Sequence, residues 1–82
     1  MDRDLQQAII QGEYGLTISE FNVFRLAAEG KSRKEIALLL GICVDTVGAH
    51  LKSIYRKLEV HSLPEAVAKV VKETLGNARS PI

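Results

Sequence analysis

The chain has 82 residues, which is enough for one small domain with a single core and too short for two. Apolar residues make up 46% of the sequence and charged residues 26%, a balance typical of a folded globular domain. The single cysteine excludes an internal disulfide. A membrane-spanning helix needs about 18 apolar residues, and every apolar run in this sequence is far shorter. Because the N-terminus is also acidic, unlike a secretory signal, we expect a soluble intracellular protein with no membrane partner.

The net charge of +1 is unevenly distributed along the chain. Residues 1–30 carry two basic and five acidic groups, whereas residues 31–62 carry six basic and three acidic groups. Residues 63–82 carry three basic and two acidic groups, so the middle of the chain is its cationic part. A local excess of three positive charges is a modest signal for nucleic-acid binding and does not decide the function.

The first predicted element is an N-terminal segment, residues 1–15, which is either a tail or a short extra helix. Its apolar residues Leu5, Ala8 and Ile9 lie on one helical stripe, although chain termini commonly fray. Throughout the rest of the chain, apolar positions recur at spacings of three and four, and none shows the two-residue alternation of a strand. The sequence therefore predicts an all-α fold.

Three hydroxyl residues mark the beginnings of helices, because Thr17, Ser32 and Ser62 each stand three residues before a glutamate. This spacing is typical of a capping box, in which the hydroxyl and the carboxylate each accept a backbone amide at the helix start. Leu16 and Phe21 flank the first box at the spacing of a hydrophobic staple.

Three glycines mark the predicted helix ends, since Gly30, Gly41 and Gly76 fall where a left-handed residue closes the last turn. The folded domain is predicted to span residues 16–76, and residues 77–82 are predicted to be a disordered tail. The four predicted helices cover residues 17–29, 32–40, 44–58 and 62–75.

The second and third predicted helices are joined by only three residues, 41–43, which requires a sharp reversal. Ala37 lets the two helices approach closely, and Gly41 supplies the positive-φ turn. Val47 of the third helix is expected to pack back onto the second helix, against Ile36, Leu40 and Ile42. This pattern indicates a helix-turn-helix, although an ordinary helical hairpin in a small four-helix bundle would satisfy the same spacing.

Residues 16–68, "LTISEFNVFRLAAEGKSRKEIALLLGICVDTVGAHLKSIYRKLEVHSLPEAVA", resemble the LuxR/FixJ/GerE-type DNA-binding domain of bacterial transcription regulators. Four pieces match in register: "LT..E", "AAEGKS.KEIA..LGI", "TV..HL..I..KL.V" and "S..EA". The resemblance implies a four-helix domain whose third helix lies in the major groove of double-stranded DNA. It also implies a dimer, often through the fourth helix, on paired half-sites near promoters. A contact with RNA polymerase and a place in the bacterial cytoplasm, at the nucleoid when bound, would follow.

The third helix is predicted to turn one face to the core and the other to DNA. Its core stripe comprises Val47, Leu51, Ile54 and Leu58, and its outward side comprises Asp45, Ala49, Lys52, Ser53 and Arg56. Lysine can donate to guanine O6 and N7, serine can donate or accept, and an alanine methyl can meet the thymine methyl. Small residues also let a helix sit deep in the groove. The predicted base contacts are therefore Lys52, Ala49, Gly48 and Ser53.

Much of the DNA affinity is predicted to come from phosphate contacts at the ends of the second and third helices. The start of the second helix combines a positive dipole end with three cations, and the third helix carries further polar groups at both ends. The predicted phosphate contacts are Lys31, Ser32, Arg33, Lys34, Thr46, Arg56 and Lys57. Gly48 departs from a position that is commonly lysine or arginine in the resembled family, and the Asp45 carboxylate would repel phosphate.

The fourth helix is predicted to be a dimer interface, because its apolar residues spread over a wider arc than contact with one core requires. The residues assigned to this interface are Ala66, Val67, Val70 and Val71. A two-fold dimer would match paired half-sites. The alternative is that the first helix or the N-terminal segment covers this surplus.

An enzyme is not expected, because the sequence lacks a phosphate-binding loop, paired carboxylates in an apolar setting, and a nucleophile with a base. No cofactor or metal is expected either, since Cys43 and His50 lie about 10 Å apart along one helix. Cys43 is predicted to be a small buried residue at the start of the third helix, with a redox switch as the alternative. The main rival function is a module of the same fold that pairs with or titrates another regulator without reading DNA.

Overall fold

The structure, a computed structural model, describes Gly12 and residues 14–78, and for residues 73–78 it describes the backbone only. Four helices follow one another within these residues: α1 (Ile18–Ala28), α2 (Arg33–Leu40), α3 (Val44–Leu58) and α4 (Leu63–Ala78). No strand occurs among them, so the predicted all-α fold is confirmed. The apolar stripe predicted near residues 5–9 and the end of the predicted tail, 79–82, lie outside the described residues.

The two capping boxes predicted for α1 and α2 are formed as expected. The hydroxyl of Thr17 accepts the Glu20 amide at 3.0 Å, and the Glu20 carboxylate accepts the Thr17 amide at 2.9 Å. At the start of α2, the same pair of bonds joins Ser32 and Glu35, at 3.1 and 2.8 Å. Both helices therefore begin at a fixed residue, because two otherwise unpaired amides are satisfied at each start.

The box predicted for α4 is formed in part. The Ser62 hydroxyl accepts the Glu65 amide at 3.4 Å, but the Glu65 carboxylate accepts the amide of His61, at 2.7 Å, rather than that of Ser62. The reciprocal pairing expected from the spacing is therefore shifted back by one residue at this helix.

Two of the three predicted glycine ends are confirmed, since Gly30 and Gly41 have φ angles of 92° and 67°. The prediction for Gly76 was wrong, because α4 continues through it to Ala78. A glycine inside a helix costs only about 1 kcal/mol, and no proline follows until residue 81. Glu59, which caps the C-terminal end of α3, adopts the left-handed conformation with φ 58° although it carries a side chain.

Helix α3 lies at the centre of the fold and packs against α1, α2 and α4. Its predicted core stripe is confirmed, since Val47, Leu51, Ile54 and Leu58 are all buried. Leu16 and Phe21, predicted as a hydrophobic staple, are buried as well and belong to the same core. Among the described residues, no single helix could span a membrane by length and apolar character, and α2 with α3 meets that criterion only as a pair bent by 106°.

A buried carboxylate joins α1 to α3. Glu20, which is 5% exposed, accepts hydrogen bonds from the Ser53 hydroxyl and the Lys57 ammonium, both at 2.6 Å. The same ammonium donates to the carbonyl of Gly15 at 3.1 Å, so it also holds the segment before α1. Glu20 thus caps α1 and anchors α3 with one side chain.

Burial alone would raise the pKa of Glu20, but the bonds it accepts outweigh this effect. Hydrogen bonds from Lys57, Ser53 and the Thr17 amide, with the positive charge of Lys57, lower the pKa from 4.5 to about 2. Because the pKa is lower in the folded chain than in the unfolded chain, the ionised carboxylate stabilises the fold above pH 4.5. That stabilisation is lost as the pH falls from 4.5 towards about 2.

We therefore expect Glu20→Gln to lower the free energy of unfolding at pH 7 by roughly 3 kcal/mol, because it removes the charge that pairs with Lys57. The difference from the wild type should narrow as the pH falls below 4.5, since the wild-type carboxylate then becomes protonated. Urea unfolding at a series of pH values measures both effects. Glu29→Gln is the matched control: its exposed pair with Arg25, at 3.3 Å, should contribute about 0.5 kcal/mol or less. A difference between Glu20→Gln and wild type that is constant with pH would contradict this assignment.

Candidate nucleic-acid interface

The turn between α2 and α3 has the geometry of a helix-turn-helix. The two helices are bent by 106° across residues 41–43. Gly41 closes α2 in the left-handed conformation, and the amides of Gly41 and Ile42 both donate to the carbonyl of Ala37. Leu40 and Ile42 are partly buried against the core that contains Ile36 and Val47, as predicted. The bend therefore leaves one long side of α3 uncovered.

The uncovered side of α3 carries few large side chains. Asp45, Ala49, Lys52 and Arg56 are exposed there, as predicted, and Thr46 is exposed in the first turn. Lys52 and Arg56 are one helical turn apart, so their cations follow the same side of the helix. The small residues near the start of α3 leave its backbone close to the surface.

Ser53 and Lys57, two of the predicted DNA contacts, are committed to another contact in this structure. Both side chains are half-buried and bind the carboxylate of Glu20 on α1. The prediction that Ser53 belongs to the outward side was therefore wrong. The reason is that α1 covers this flank of α3, and a helical projection does not show which neighbour covers a flank. Whether either residue touches DNA stays a prediction.

The start of α2 presents exposed cations from Lys31, Arg33 and Lys34. The capping box already uses the Ser32 hydroxyl as an acceptor and the amides of Ser32 and Glu35 as donors. Fewer amides are therefore free than the sequence suggested, and the Ser32 hydrogen bonds lower the pKa of the Glu35 carboxyl. Attraction for a phosphate at this end must come mainly from the three side-chain cations.

Arg33 extends from α2 to α3 and lies against Gly48. A β-carbon placed on Gly48 would lie 3.3 Å from Nη1 of Arg33, closer than an ordinary van der Waals contact. Nη1 of the guanidinium therefore lies beside the backbone of α3, in space that a longer side chain at position 48 would occupy. Spacing along the sequence gave no signal of this approach.

Cys43 precedes α3, and the prediction that it is buried was wrong. Its side chain is exposed and makes no capping hydrogen bond. Cys43 lies on the outer side of the turn, whereas its neighbour Ile42 is partly buried against the core. No group of three or more potential metal ligands occurs among the described residues.

The apolar face of α4 is divided between the core and the surface. Ala66 is fully buried in the core of its own chain, so its assignment to a dimer interface was wrong, whereas Val70 keeps 5% of its surface exposed. Residues four apart face the same way, and here that direction is inward, across α1 and α3. Val67 is half-buried, whereas Val71 is 48% exposed.

The exposed edge of α4 borders a groove. Val67, Val70 and Val71 line, with Phe21 and Phe24 of α1, a largely apolar groove of about 240 Å³ that Arg25, Ala28 and Glu29 also line. On the opposite flank of α4, Lys69 donates to the carbonyl of Leu58 at 2.7 Å and so completes the end of α3. Helix α4 therefore supports α3 and also presents an apolar surface.

Comparison with known proteins gives one family. The family model described as bacterial regulatory proteins, luxR family, matches residues 15–70, more than half of the chain. No solved structure is significantly similar to the chain.

Three curated proteins illustrate the similarity. The transcriptional activator protein PhzR of Pseudomonas fluorescens is 38% identical over 63% of this chain and 21% of its own length. The nitrate/nitrite response regulator protein homolog of Haemophilus influenzae is 47% identical over 57% of the chain and 23% of its own. An uncharacterized transcriptional regulatory protein of Bacillus subtilis, YhcZ, is 42% identical over 76% of the chain and 29% of its own. The chain thus spans less than a third of the length of these relatives.

Proposed function

Since the chain belongs to the luxR family of bacterial regulatory proteins and has its helix-turn-helix fold, we propose that it binds double-stranded DNA sequence-specifically as a regulator of transcription. Helix α3 lies in the major groove in this proposal. The family is one of DNA-binding regulators and not a class of enzymes.

One observation carries the proposal: the bend of 106° leaves a long side of α3 uncovered, with Lys52 and Arg56 exposed along it. A helix is about 10–12 Å wide with its side chains, and the major groove is about 12 Å wide, so α3 fits with this side facing the bases. The small residues Gly48 and Ala49 allow its first two turns to lie deep in the groove.

The contacts divide by chemistry. Lys52 is assigned to a guanine edge and the methyl group of Ala49 to a thymine methyl, while Arg56 and Thr46 are assigned to phosphates. Lys31 and Lys34 add phosphate contacts at the start of α2. Ser53 and Lys57 are assigned primarily to positioning α3 through Glu20, because their polar groups are bound there.

A dimer on paired half-sites completes the proposal. Its interface is centred on Val71, which is 48% exposed, and on the groove beside it, whereas Ala66 is fully buried. Two copies related by a two-fold axis would each bury this groove against the other. Contact with RNA polymerase would follow binding near a promoter.

A second candidate function is supported by two residues on α3. Asp45 brings a negative charge to the outward side, and Gly48, which is half-buried beside that side, offers no side chain. A domain of this kind could pair with another regulator through α4 and titrate it without binding DNA. The two functions differ in whether the isolated chain binds a duplex at low salt.

We expect the chain to bind mixed-sequence duplex DNA with an affinity that falls steeply as salt rises, because bound cations displace counterions from phosphates. The logarithm of the binding constant should decrease linearly with the logarithm of the salt concentration. Fluorescence anisotropy with a labelled duplex measures this slope. Absence of binding even at low salt would overturn the DNA-binding proposal and favour the titrating module.

Lys52→Ala should weaken binding to a duplex selected from a random pool by about 1–3 kcal/mol, with less effect on mixed-sequence DNA, because a base contact is lost. Arg56→Ala, one turn along the same side, is the matched control. It should weaken binding to both duplexes equally and reduce the salt slope by about one, as expected for a phosphate contact. An equal loss on both duplexes for Lys52→Ala would reassign Lys52 to the backbone.

Val71→Glu should convert the dimer to a monomer while leaving the fold intact, because it places a charge in the interface but not in the core. Light scattering measures the mass, and circular dichroism verifies the helices. Leu38→Glu, at an apolar residue of α2 that is 85% exposed, makes the same kind of change away from α4 and should leave the mass unchanged. An unaltered dimer mass for Val71→Glu would reject this interface.

A further inference from the structure

We propose that Arg33 reads a base in the major groove from the space that Gly48 leaves open on α3, so that one specificity-determining side chain comes from α2. This inference rests on the proposed DNA-binding function. It changes the assignment of Arg33 from a phosphate contact to a base contact, and it gives Gly48 a role as the residue that admits the guanidinium.

The guanidinium of Arg33 lies beside the outward side of α3. Nη1 of Arg33 is 3.3 Å from the point where a β-carbon of Gly48 would lie, so the guanidinium covers the α3 backbone there. Gly48 is flanked on the outward side by Asp45, Ala49 and Lys52, all of them exposed. The tip of the Arg33 side chain therefore lies close to any ligand that contacts the outward side of α3.

The guanidinium is available for a ligand. Arg33 is exposed, and none of the side-chain hydrogen bonds or ion pairs formed among the described residues uses it. Its planar fork of donors matches O6 and N7 of guanine, the commonest specific contact in the major groove. Asp45, the nearest acidic residue along α3, does not form an ion pair with it in this structure.

The position of this cation relative to Lys52 fits reading of neighbouring bases. Residues 48 and 52 are one helical turn apart, a spacing at which β-carbons lie about 5–6 Å from each other. Base pairs are stacked about 3.4 Å apart, so the two cations would reach sites one or two steps apart. Lys34, by contrast, is exposed on α2 and does not approach Gly48, which makes it a suitable comparison.

The test selects bound sequences from a random duplex pool with the full chain, as wild type, Arg33→Ala and Lys34→Ala. Arg33→Ala should lose the preference for one base pair in each half-site and bind the duplex selected by wild type about 10- to 100-fold more weakly. Its loss on mixed-sequence DNA should be smaller. Lys34→Ala should keep every base preference and weaken binding to both duplexes by the same factor.

Gly48→Ala tests whether the open space at position 48 is what admits the guanidinium. The added β-carbon would force the guanidinium, which is the flexible end of its side chain, to shift by a few tenths of an ångström, so the same base preference should weaken. Alanine favours a helix interior more than glycine does, so the melting temperature should rise by about 2–8 °C. A weaker base preference in Gly48→Ala would then not be due to unfolding.

Two results overturn the inference. If Arg33→Ala selects the wild-type sequence and loses affinity equally on both duplexes, Arg33 contacts a phosphate and the DNA-binding function stands without it. If Gly48→Ala retains the full base preference, the glycine is not what positions the guanidinium. Failure of the underlying function is a separate result, because wild type would then enrich no sequence and bind no duplex at low salt.

Discussion

The bonds of the Glu20 carboxylate determine how α3 is oriented in this domain. A buried charge is stable only when it is paired and its hydrogen-bonding capacity is used, and Glu20 satisfies both conditions with groups from α1 and α3. Because Ser53 and Lys57 are one turn apart on α3, binding both of them fixes the rotation of α3 about its axis. The apolar stripe determines only approximately which side of α3 is buried, and the contact with Glu20 restricts the range of rotation further. The contacts of Glu20 therefore determine which side of α3 remains exposed.

The bend between α2 and α3 then determines what stands on that side. Gly41 turns the chain so that Arg33, at the start of α2, comes close to Gly48 in the second turn of α3. The side chain of Arg33 consequently reaches a position that its own helix does not contain. The exposed surface at Gly48 is in this way assembled from two helices, and the glycine contributes to it by leaving room for the guanidinium.

Local signals in the sequence were sufficient for most of the fold. Capping residues such as Thr17 and Ser32 act on amides three residues away, so their pattern could be interpreted without the tertiary structure. The site could be predicted less completely. The partners of Ser53 and Lys57 lie 33 and 37 residues away in sequence, which no helical projection includes. Likewise, the wide apolar arc of α4 did not distinguish Ala66 and Val70, which face the core, from Val71, which does not. That distinction depends on how α4 crosses its neighbours.

The bond from Lys69 to the carbonyl of Leu58 has a consequence for the smallest fragment that could retain an ordered α3. The final turn of any helix leaves carbonyl groups without partners inside the helix, and here one of them is satisfied from α4. A fragment truncated after the helix-turn-helix would lack this donor and the apolar cover of Ala66 and Val70 as well. The last turn of its α3 would fray, although every residue of the bihelical motif itself would be present. In this protein the autonomous folding unit is thus larger than the helix-turn-helix and includes α4.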